Sequence, residues 1–118
     1  MATGTSASLP ATLTKQLGVT EGQAAGGTGA ILAFAQQRLA AGDFDIVAKA
    51  IPGSEKYLAM AKQLLGSATI SDKAGLQSAF SKLGMSPDMV GKFAPIVTDY
   101  VSKAGSEQAS KLLAGVLK

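Results

Sequence analysis

The chain has 118 residues and a formal net charge of +3; 47% of its residues are hydrophobic but only 5% aromatic. That length closes one hydrophobic core without staples, so a single domain is expected. With no Cys and no His, disulfides, thiol chemistry and the usual zinc, copper and haem ligand sets are excluded, and neither a metal nor another cofactor is expected.

In chain order, Met1 to Pro10 is a Thr/Ser/Ala stretch with no positive charge and no Leu-rich centre. As it stands it is not a leader peptide; it reads as a flexible lead-in over residues 1–10, or as the start of a mature segment behind an added initiator Met, and leaves residues 11–118 as one helical domain. A short first helix spans Ala11 to Leu17 and closes at Gly18. Thr20-Glu21-Gly22-Gln23 is a capping box that opens a second helix running to about Ala40, where Gly42 stops it. Asp43 caps a short third helix that ends at Ile51-Pro52-Gly53. Ser54 starts a fourth, with Tyr57, Leu58, Ala61, Leu64 and Leu65 on one side and Gly66 at its end. Ser67 to Ile70 connect it to a fifth helix that begins at Ser71-Asp72 and carries Leu76, Phe80 and Leu83. Ser86 caps a sixth, with Pro87 at the first helical position, where a missing N–H costs nothing. Gly105 ends it, and Ser106 caps a seventh with Ala109, Leu112, Leu113, Val116 and Leu117 in one stripe. No stretch of useful length alternates apolar and polar residues as a half-buried strand requires. The expected fold is all-α: a compact bundle of about six or seven helices, with a Gly-rich central helix and a Pro-kinked one.

Leu17-Gly18-Val19-Thr20 before the second helix is echoed by Leu83-Gly84-Met85-Ser86 before the sixth. Ile31 and Phe34 match Val97 and Tyr100 at the same offset. Either two similar helix pairs pack about a pseudo-twofold axis, or good capping chemistry has arisen twice.

The charges are placed as helix furniture. Seven of the eight carboxylates (Glu21, Asp43, Asp45, Glu55, Asp72, Asp88 and Glu107) fall where helices begin, next to free N–H groups and the positive end of the dipole. Asp99 lies inside a helix with Lys103 at i+4, the spacing of a surface ion pair. Asp43 and Asp45 form the only close acidic pair, and two residues apart on a helix they point away from each other. An enzyme lacking His and Cys would need these same carboxylates for its chemistry, so the expectation is that the protein is not an enzyme. No two of the eleven basic residues are adjacent, so there is no phosphate-tracking cluster, and nucleic-acid binding is not expected. No apolar run approaches the roughly 18 to 20 residues that cross a bilayer.

Gly22, Gly26, Gly27 and Gly29 lie within the second helix, where each glycine costs about 1 kcal/mol relative to Ala. Stacked small residues let a neighbouring helix approach closely, or else leave a groove for an apolar ligand or a partner helix. A phosphate loop fails because no Lys-Ser or Lys-Thr follows. Pro95 removes a backbone bond and crowds the carbonyl of Gly91, predicting a kink or break there. The bend either wraps a small core or opens a concave surface lined by Met85, Met89 and Phe93. Gly22, Gly26, Gly29, Met85, Met89 and Phe93 are therefore the candidate interaction surface.

The segment Leu17-Gly18-Val19-Thr20 through Gln23-Ala24-Ala25-Gly26-Gly27-Thr28-Gly29-Ala30 resembles the opening of the bacterial VcgC/VcgE family, whose function is unknown. Ile51-Pro52-Gly53 is similar as well, as are Ala79-Phe80-Ser81-Lys82-Leu83-Gly84-Met85 and Lys92-Phe93-Ala94-Pro95-Ile96-Val97 with Tyr100. The resemblance runs from about residue 13 to the end. It implies a small domain with no transferable catalytic residues, and an envelope or periplasmic location ahead of a cytoplasmic one. The reading is a non-enzymatic helical module that binds another protein or forms a homo-oligomer. The alternative is a carrier of a lipid or other apolar small molecule in the bundle interior.

Overall fold

A computed structural model describes residues 9–51, 53–65, 70, 73–103 and 107–117. Seven α-helices account for most of these: α1 Leu9–Leu17, α2 Glu21–Arg38, α3 Ala41–Ala50, α4 Ser54–Leu65, α5 Lys73–Lys82, α6 Met89–Lys103 and α7 Glu107–Leu117. No strand occurs among the described residues, so the fold is the all-α bundle that the periodicity predicts. The lead-in over residues 1–8, Pro52, Gly66, Ser71-Asp72, Gly105 and the Ser106 cap lie outside the described residues.

The centre of the bundle is α2, which packs against all six other helices. Every residue from Ala24 to Leu32 is buried, so this helix has no solvent face along its middle. A helix apolar all round belongs in a core. Its one polar side chain there, Thr28, donates its hydroxyl hydrogen to the Ala24 carbonyl of the same helix at 2.8 Å, so no buried donor is orphaned. The outer helices are amphipathic. Val90, Phe93, Val97 and Val101 form the buried stripe of α6 at i, i+3 and i+4 spacings; Leu13, Val47, Leu76 and Leu113 are the fully buried anchors of α1, α3, α5 and α7. The radius of gyration, 12.9 Å, is close to the ~13 Å of a globular domain of this length.

Several helix ends depart from the sequence reading. Helix α1 starts at Leu9, two residues early; Pro10 is tolerated there because first-turn N–H groups have no intrahelical partner. Helix α2 ends at Arg38, and Gly42 is not its stop but sits inside the first turn of α3. The break is made by Leu39 (φ −100°, ψ 151°) and Ala40 (φ −62°, ψ 156°), two extended residues. Leu39 packs against the core as the chain turns, and no glycine stands at the break. Ala40 is then the N-cap of α3, without a side-chain bond, and Asp43 stands in the first turn instead of capping it. Pro95 does not break α6, which stays helical from Met89 to Lys103. Gly91, four residues before Pro95, is exposed, and a methyl added there would meet nothing within 4 Å. The first turn of α6 is tight: Met89, Val90 and Gly91 donate to the carbonyls three residues back, of Ser86, Pro87 and Asp88.

Candidate functional site

The Gly-rich run lies where α2 meets α4 on one side and α5 and α6 on the other. At Gly29, a methyl group would collide with the Tyr57 carbonyl oxygen and lie 2.9 Å from the Ala61 side chain. Only hydrogen fits between these two helices. At Gly27, a methyl would sit 2.5 Å from Phe93 Cε2 and 3.2 Å from Phe80 Cζ. The two rings meet edge to face, with centroids 4.8 Å apart and planes at 76°, the arrangement that aromatic quadrupoles prefer. The missing side chain of Gly27 is thus replaced by aromatic edges from α5 and α6. Dispersion and apolar burial across these contacts offset the propensity cost of the two glycines.

The six nominated residues are therefore not one surface. Gly26, Gly29, Met85 and Phe93 are buried, Phe93 completely; Met89 is half-buried and Gly22 exposed. The space beside the glycines is filled from within the molecule on both sides of α2, by Tyr57 and Ala61 at Gly29 and by Phe93 and Phe80 at Gly27. Of the two accounts of the glycine spacing, close approach of a neighbouring helix is the one observed at Gly29. The sequence reading missed the facing residues because nothing in Tyr57 or Phe80 by itself marks them as the wall opposite a glycine. A small residue one turn after Tyr57, Ala61, is the trace that could have pointed to the close α2–α4 approach.

The segments flagged by the sequence echo are tied together. Thr20 accepts a hydrogen bond from the Gln23 N–H at 3.0 Å, and Gln23 Oε1 accepts from the Thr20 N–H at 3.1 Å, completing the capping box. The Gln23 amide then reaches across the fold, donating to the Leu83 and Gly84 carbonyls at 3.3 and 3.4 Å. One side chain thus serves the start of α2 and the end of α5. Gly18 (φ 73°) and Gly84 (φ 88°) are both left-handed. They end their helices differently, however. Gly18 makes a single N–H bond back to Thr14, while Gly84 and Met85 bond to Ser81 and Phe80 as a Schellman motif.

The acidic groups are dispersed. Glu21, Asp43, Glu55 and Glu107 stand in first turns, and Asp88 directly precedes α6. Asp45 lies a turn inside α3 and pairs with Lys49 at 3.1 Å, while Asp99 pairs with Lys103 at 3.1 Å as its spacing predicts. Asp72 lies outside the described residues. Among the described residues, no three acidic side chains are grouped so that they could hold a metal ion. Helices α1 to α6 each carry a Lys or Arg in the last turn, one per helix, so positive charge is spread and not patched. Among the described residues no helix is long and apolar enough to cross a membrane.

Partly buried apolar residues that pack against the core, such as Phe44, Ile46, Leu58 and Leu112, occur on several helices, and one such group forms a flank of α6. Met89, Ile96 and Tyr100 are half-buried and lie in one stripe at i, i+7 and i+11, beside the buried stripe. A second feature is an open cleft of about 450 Å³ where α3 meets α4, lined by Asp45, Lys49, Ile51, Ser54, Glu55 and Lys56 among others.

The family model described as protein of unknown function VcgC/VcgE matches residues 1–118, the whole chain. No curated protein and no solved structure matches it.

Proposed function

The chain belongs to the VcgC/VcgE family, and from its geometry we propose a non-enzymatic helical module that binds another protein or a second copy of itself. The observation that carries this reading is that both sides of the glycine run are filled from within, by Tyr57 and Ala61 at Gly29 and by Phe80 and Phe93 at Gly27. With those sides spent on the core, recognition falls to the outer helix faces. The half-exposed Met89, Ile96 and Tyr100 of α6 are apolar anchors at the spacing that a helical recognition face uses. The dispersed carboxylates support the non-catalytic part: each described one sits near a helix start or in an i,i+4 pair, and among the described residues no three of them are grouped so that they could hold a metal ion. An envelope or periplasmic location belongs to the same proposal and rests on the family resemblance; cell fractionation tests it.

The carrier of a lipid or apolar molecule has less to support it, because the space beside Gly27 and Gly29 that such a ligand would use is already taken. The test of the main reading is sedimentation of the purified chain over a wide concentration range, together with cross-linking in its native cells. Wild type is expected to self-associate or retain a protein partner, and Ile96→Glu to lose that association with its helical circular dichroism intact. A chain that stays monomeric and captures nothing, or one whose Ile96→Glu variant associates as well as wild type, overturns the proposal. Extra mass matching a lipid, seen by mass spectrometry under non-denaturing conditions, would replace it with the carrier.

A further inference from the structure

We draw no further inference here: the strongest candidate, the open cleft between the end of α3 and the start of α4 around the buried Ser54, carries nothing, because the two lysines and two carboxylates on its rim cancel and the Ser54, Lys56 and Tyr57 amides at the start of α4 already bond the Ile51 and Gly53 carbonyls, leaving nothing to say what would occupy it.

Discussion

Replacing Gly29 with Ala sets two effects of opposite sign against each other. Ala is the better helix former by about 1 kcal/mol, which on propensity alone would stabilise α2. Its methyl, however, would overlap the backbone carbonyl of Tyr57 and press on Ala61. A backbone carbonyl has no alternative rotamer, so α2 and α4 would have to separate. A gap of 0.5–1 Å forfeits about a quarter to a half of the dispersion at each affected contact, and overpacking of this kind costs about 1–3 kcal/mol. Taking the upper end, because the obstruction is backbone, the net destabilisation is about 2 kcal/mol. For 118 residues that lowers the melting temperature by roughly 8 °C. Gly91→Ala is the control, since a methyl there meets nothing within 4 Å; the propensity gain is then unopposed, and stability should rise by up to about 1 kcal/mol. Urea unfolding followed by circular dichroism measures both. If Gly29→Ala proves as stable as wild type, the close α2–α4 approach does not explain the glycine and the packing argument fails.

Phe93→Ala removes a fully buried ring from the edge-to-face pair with Phe80 and should cost about 3–5 kcal/mol; a loss below about 1 kcal/mol in urea unfolding would contradict the core assignment of Phe93. Thr20→Ala breaks one arm of the capping box and should cost about 1 kcal/mol. Gln23→Ala removes the other arm and the bonds to Leu83 and Gly84 as well, so it should cost more than Thr20→Ala and speed amide exchange around Leu83. Equal costs, with exchange near Leu83 unchanged, would show that the cross-fold bonds contribute nothing. The Asp45–Lys49 and Asp99–Lys103 pairs are largely solvent-exposed, so Asp45→Asn and Asp99→Asn should each change stability by less than about 0.5 kcal/mol, with no dependence on salt beyond that; a larger loss would mean that these carboxylates have partners other than the lysines.

Local chemistry determined much of this protein in advance. The helical period of the apolar residues, the Thr20–Gln23 box, the Leu-Gly stops at Gly18 and Gly84 and the i,i+4 pair at Asp99 all act within a few residues of the chain, so they are legible one segment at a time. The all-α fold follows from them. What the linear pattern could not decide was which faces would meet. Gly42 looks like a stop, yet α2 ends at Arg38 and Gly42 lies inside α3; Pro95 suggests a kink or break, and α6 remains one helix through it. The same holds for the candidate surface: glycines on a helix are equally compatible with an open groove and with a close neighbour. Only the approach of Tyr57 to Gly29 and of Phe93 to Gly27, across gaps of 28 and 66 residues in the chain, turned both sides of the glycine run inward. Contacts between distant segments depend on how all the helices share one core volume, and no single stretch of sequence carries that information.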